Sequence, residues 1–89
     1  MRAIVTVVGP DRVGIIAEVC TLLAGLNINI VDISQTVMED FFTMIMLTNT
    51  AEATTDFDGI ADALAKKGEE MGLSIRVQRE DIFNAMHTI

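Results

Sequence analysis

The spacing of apolar residues switches back and forth between two periods along this chain, and the order of the switches leaves few folds open. From Arg2 to Val8 the run Arg-Ala-Ile-Val-Thr-Val-Val is β-branched, of strand length, and ends at Gly9-Pro10. After the loop from Gly9 to Gly14, Ile16, Val19, Cys20, Leu23 and Leu26 recur at helical spacing. The helix is expected to stop at Gly25, a residue that tolerates left-handed backbone. Ile28 to Val37 reads as a second strand whose apolar phase shifts between Ile30 and Val31, as a β-bulge produces. A polar turn at Glu39-Asp40 leads into a third strand from Phe41 to Leu47, and the short connection makes the two a hairpin.

Asn49 to Asp56 reads as loop. A second helix follows, with Phe57, Ile60, Ala61, Leu64, Ala65 and Met71 on one side and Asp58, Asp62, Lys66 and Glu69 on the other, closed by Gly72. Leu73, Ile75 and Val77 alternate with Ser74, Arg76 and Gln78, the period of a half-exposed fourth strand. The tail from Asp81 to Met86 is expected to form one or two helical turns whose Ile82, Phe83 and Met86 pack back on the body. The order βαββαβ is the split βαβ arrangement: an α+β, ferredoxin-like fold with a four-stranded antiparallel sheet and two helices on one face.

With 89 residues there is room for one domain. A chain this small buries only about 60 to 65% of its unfolded surface. Its 51% hydrophobic content and six Met exceed what one helix-covered face absorbs, so a homodimer is expected. The other sheet face has no helix left to cover it, and a second copy is the simplest way to shield that face or the sheet edge.

The excess of 13 acidic over 6 basic residues, a formal charge of -7, opposes nucleic acid and anionic membranes as partners. No charged leader with an apolar run appears, and no apolar stretch approaches the ~20 residues that span a bilayer, so a cytoplasmic location is expected. The one cysteine forms no internal disulfide, in keeping with a reducing compartment.

Gly9-Pro10-Asp11-Arg12-Val13-Gly14-Ile15-Ile16, followed by Gly25-Leu26-Asn27-Ile28, resembles the signature of ACT domains, the small regulatory modules of amino-acid biosynthetic enzymes among others. Asp11, Arg12, Gly14 and Ile15 match the family's Asp-Arg-Pro-Gly-aliphatic pattern, and Val13 stands where proline is common. A narrower stretch, Asp32-Ile33-Ser34-Gln35-Thr36-Val37 with Phe42-Thr43 and Ile82-Phe83-Asn84-Ala85-Met86-His87, is similar to a group of free-standing single-domain ACT proteins of unknown function. That resemblance implies a complete protein rather than a fragment of an enzyme.

It also implies an amino acid or related small metabolite as ligand, held at the loop Asp11, Arg12, Val13 and Gly14 and at Asn27, across a dimer interface. The physics of such a site is plain: free N–H groups at a helix N-terminus attract a carboxylate, Asp11 accepts from an ammonium group, and the Asn27 amide donates and accepts. Each residue also has a simpler reading. Asp11 suits a helix N-cap, Gly14 close packing, Asn27 a turn, and Arg12 a solvated surface. Gly9 stands where serine-binding relatives place a histidine, so serine specificity is not implied.

Chemistry beyond binding finds little support. Gly9 and Gly14 have the first spacing of a phosphate-binding loop, but Ile15-Ile16 replace its Lys-Ser/Thr. Cys20 on the apolar stripe reads as a buried structural thiol, and the lone His87 sits near the chain end. Asp32 and Glu39-Asp40 fit a strand face and a turn better than acid/base catalysis. Met38, Met44 and Met46 in the hairpin suit a core or dimer interface. No cofactor, metal or catalytic function is expected. A protein-docking module without a metabolite is the alternative, its partner meeting the open sheet or the C-terminal segment.

Overall fold

The computed structural model describes residues 1–81. The order is β1 (Arg2–Pro10), α1 (Ile15–Gly25), β2 (Asn29–Met38), β3 (Phe41–Asn49), α2 (Phe57–Met71) and β4 (Ser74–Arg79). All pairings are antiparallel and the sheet runs β2-β3-β1-β4. This is the expected split βαβ architecture. The expected helical turns of the tail, with Ile82, Phe83 and Met86, lie outside the described residues.

Strand periodicity sorts the sheet into two faces. Val5 and Val7 of β1 lie opposite Met46 and Met44 of β3 and opposite Val77 and Ile75 of β4. Val5, Val7, Met44 and Met46 are all buried and form the floor of the core. Ile15, Val19 and Leu23 of α1, together with Ile60, Leu64 and Met71 of α2, close it from above. The helical spacing of these apolar positions is what places them on one side. Ala65, expected on the apolar side of α2, faces solvent instead, and Cys20 of α1 is only partly buried. Both positions are at the margin of their stripe, where a small side chain need not reach the core.

Strand ends run further than the β-branched runs suggested. β1 continues through Gly9 and Pro10, because Phe42 and Phe41 of β3 pair with them. The bulge predicted between Ile30 and Val31 appears as a register shift between Ile30 and Asp32. The two-residue connection Glu39-Asp40 joins Met38 to Phe41, and Glu39 takes a positive φ of 55°.

The two helices end differently. Asp56 caps α2, its Oδ1 accepting from the Gly59 N–H at 2.9 Å, and Gly72 ends it in left-handed backbone at φ 71°. In α1, Gly14 occupies the N-cap position at φ 90° and no side chain caps the helix, so Asp11 is not the N-cap. The left-handed residue after α1 is Asn27, at φ 60°, rather than Gly25. The helix does end at Gly25, but the turn that ends it is completed two residues later.

α2 approaches β4 so closely that Gly68 is required. A Cβ there would stand 2.7 Å from the Leu73 carbonyl oxygen and 3.4 Å from the Ile75 backbone nitrogen, both in the connection to β4 and its start. Gly68→Ala is expected to destabilise the protein by about 1–3 kcal/mol in urea unfolding, since backbone must move. Gly25→Ala meets nothing within 4 Å and is expected to be neutral or slightly stabilising in the same experiment.

Candidate functional site

The β1–α1 loop gathers part of the expected site. Asp11, Arg12, Gly14, Ile15, Ile16 and Phe42 are among the residues lining an open depression of about 450 Å³ at the N-terminus of α1. Gly14 enters helix α1 in left-handed backbone, where a side chain is strained, and leaves the first-turn N–H groups uncovered by any cap. Those N–H groups and the positive end of the helix dipole make the depression favourable to a carboxylate. The backbone N–H of Asp11 donates to the Asp40 carbonyl at 2.7 Å, tying the loop to the β2–β3 turn. The Asp11 side chain is exposed beside it.

Arg12 lies at the surface, as its simpler reading has it, and is also engaged. Its Nη2 lies 3.1 Å from Glu18 Oε2 and its Nη1 donates to the Met71 carbonyl at 3.4 Å. Met71 is the last residue of α2, a helix with no basic residue in its final turn, so Arg12 brings the cation that the C-terminal end of the dipole favours. The ion pair is half-exposed and contributes little by itself. Its effect is to hold the guanidinium at the rim of the depression.

The other expected residues are placed elsewhere. Val13 projects into solvent at 96% exposure and does not line the depression. Asn27 lies beyond the far end of α1, in a separate depression with Ala24, Ile28, Asn29 and Glu52. Eleven residues of helix set the two places about 16 Å apart along its axis. Asn27 also fulfils its turn reading, because it adopts left-handed backbone and its Nδ2 donates to the Glu52 carbonyl at 2.8 Å. Within one chain, therefore, Asp11, Arg12 and Gly14 come together and Asn27 does not join them.

Sequence reasoning missed Phe42 and Glu18. Phe42 was legible only once β1 was known to extend to Gly9, its cross-strand partner. Glu18 lies off the apolar stripe of α1, so its spacing gives no sign of a role, yet it stands on the first turn of the helix within reach of a loop arginine. Among the described residues, no group of His, Cys, Asp and Glu is arranged to hold a metal ion. No helix among them is long and apolar enough to cross a membrane.

The model of the ACT domain family matches residues 2–78. The chain belongs to the ACT domain family. A UPF0237 protein of Listeria monocytogenes is 53% identical over 89 residues, covering 100% of both chains. Among solved structures, an ACT domain protein from Streptococcus pneumoniae superposes with a TM-score of 0.83 at 36% identity, covering 100% of this chain and 97% of that one. The regulatory subunit of aspartate kinase from Thermus thermophilus superposes on this chain with a TM-score of 0.67 at 25% identity, over 86% of this chain and 50% of that one. The expected family thus holds over residues 2–78, and the expected fold over the described residues.

Asn27 offers a direct test of its structural share. Asn27→Ala keeps no left-handed preference and loses the bond to Glu52, and is expected to cost about 1–2 kcal/mol in thermal or urea unfolding. Asn27→Gly keeps the backbone and is expected to cost less than half as much.

Proposed function

We propose that this ACT domain is a non-catalytic sensor of an amino acid or related small metabolite, acting in the cytoplasm, with each binding site completed by a second copy of the chain. The observation that carries this reading is the separation of the Asp11 loop and Asn27 at the two ends of α1. β2 runs between the same two ends. It begins at Asn29, two residues after Asn27, and finishes at Met38, next to the Glu39-Asp40 turn that holds Asp11. It is also an edge strand, ten residues long and without Lys, Arg or Pro, the residues that commonly guard such edges. Val31, Ile33 and Val37 along it are exposed.

If two β2 strands pair antiparallel, the Met38 end of each lies beside the Asn29 end of the other. Each Asp11 loop then stands near the Asn27 of its partner, and the two-fold axis makes two equivalent composite sites. The ligand carboxylate is assigned to the bare N-terminus of α1 behind Gly14, with Arg12 at the rim and Val13 on its solvent side. The ammonium group is assigned to Asp11, and Asn27 of the other copy completes the polar ring. The resemblance to the regulatory subunit of an amino-acid kinase supports a regulatory role of this kind.

The composite site predicts a complementation result. Asp11→Ala and Asn27→Gly chains are each expected to lose the thermal shift that wild type shows with its amino acid in a screen of the common amino acids at millimolar concentration. A ligand at a hundred times its Kd stabilises by about 2.7 kcal/mol, several degrees for a domain of this size. Unfolding and refolding the two variants together in equal amounts restores about a quarter of the wild-type sites in calorimetric titration, because half the dimers are mixed and each mixed dimer carries one intact site. A mixture that binds nothing, with wild type binding normally, places both residues in one chain's site and overturns the composite arrangement. A flat screen of wild type rejects the amino-acid ligand itself.

A further inference from the structure

Among the described residues, the face of the sheet away from α1 and α2 is unlike the rest of the surface. Its centre, on β1 and β3, carries Val8, Phe41, Ile45 and Leu47 around Ile4, which is already buried at 8%, while Val8 is 38%, Phe41 61% and Ile45 41% exposed. Met38 at the end of β2 extends the stripe, at 71% exposure. On both flanks, β2 and β4 present mainly hydroxyl and amide side chains, such as Ser34, Thr36, Ser74 and Gln78. An apolar centre with a polar rim is the anatomy of a protein interface.

Charge selects the occupant. The chain carries -7 overall, and α2 on the helix side sets Asp58, Asp62, Glu69 and Glu70 against only Lys66 and Lys67, a net of -2. The helix-free face is neutral by contrast: Arg2 pairs with Glu80 at one end at 3.3 Å, Asp32 on β2 is balanced by Arg76 on β4, and no other charge stands among the paired residues of that face. Two copies meeting through their helices bring acid against acid, whereas two copies meeting through this face do not. A strongly basic partner, which the acidic surfaces elsewhere favour, gains nothing from a neutral face.

Area sets the stoichiometry. Four strands spaced ~4.8 Å apart and about seven residues long at ~3.4 Å each cover on the order of 400 Å² per chain. A pair of chains stacked through that area alone buries on the order of 800 Å², the size of a weak contact. A pair already joined along β2 presents an eight-stranded face, and two such pairs bury on the order of 1,600 Å², the size of a stable specific interface.

We infer that the helix-free face is an interface between copies of this chain, and that two β2-joined pairs stack through it, sheet on sheet about 10 Å apart, as a tetramer. The inference rests on the β2-joined pair proposed above, and sedimentation velocity of three full-length variants tells the two apart. Wild type is expected to sediment as four chains. Ile45→Glu, which buries four uncompensated carboxylates in the stack, one from each chain, is expected to give two chains that keep the ligand-induced thermal shift. Ile33→Lys, which sets like charges across the paired β2 edges, is expected to remove that shift and also to leave no more than two chains. Circular dichroism confirms that each variant is folded, as the half-exposed position of both residues predicts.

Wild type sedimenting as two chains, unchanged by Ile45→Glu, overturns the stack and leaves the β2 pair standing if Ile33→Lys then gives single chains. Four chains that Ile33→Lys does not alter, and Ile45→Glu reduces, uphold the face and reject the β2 pair. If wild type forms two chains and Ile82→Ser with Phe83→Ser raises it to four, the chain's own C-terminal segment holds the face, and the inference fails.

Discussion

The burial of Val5 and Val7 on the central strand β1 is the constraint on which the rest depends. β1 is hydrogen-bonded on both sides, to β3 and β4, so its polar backbone is satisfied and its inner side chains serve as the floor for both helices. Neither half of the chain makes this core alone. β3 belongs to the hairpin after α1, β4 follows α2, and only their meeting on β1 brings Met44, Met46 and Ile75 together under Leu23 and Leu64. The pairings are long-range, and the loss of β1 separates the β2–β3 hairpin from α2 and β4.

That central strand also decides where binding chemistry can be built. Loops at the carboxyl end of β1 open onto the N-terminus of α1, and the antiparallel return of β3 brings Phe42 and the β2–β3 turn to the same end. The chain leaves α1 at the opposite end, where Asn27 must reverse direction in left-handed backbone to start β2. The separation of the two polar sites is therefore a property of the βα unit itself. No side-chain rearrangement within one chain brings them together across the length of a helix. The free edge of β2, which spans the same distance, is the element able to relate them through symmetry.

The order of elements was legible because each segment's period agreed with its place in the fold. Leu73, Ile75 and Val77 alternate, Ile60, Leu64 and Met71 recur helically, and Gly72 stops α2 in the backbone that glycine favours. Asn27 and Asp11 were harder. A polar residue in a loop has several uses that look alike in sequence, and only geometry shows that Asn27 makes a turn bond while Gly14, not Asp11, stands at the N-cap. Strand lengths at the Gly9-Pro10 end were hidden for a different reason. Glycine and proline end most strands, but here Phe41 and Phe42 pair with them across the ladder, and Pro10 stands at the terminus where its missing N–H does no harm. Ala65 and Cys20 erred toward burial because a stripe defined by spacing has width, and small residues at its margin fall on either side.

Arg12 gives the loop a mechanical reach beyond the depression it borders. Its guanidinium is shared between Glu18, on the first turn of α1, and the carbonyl that ends α2, so the entry to one helix and the exit of the other are held by a single side chain. Immediately after that exit come Gly72 and Leu73, whose N–H donates to the Gly68 carbonyl at 2.8 Å and whose backbone leads straight into β4. An anion that draws Arg12 toward the N-terminus of α1 takes a cation away from the C-terminus of α2. The two halves of the chain, which meet in the core as rigid packing, are thus also joined at the surface by a contact that can change hands.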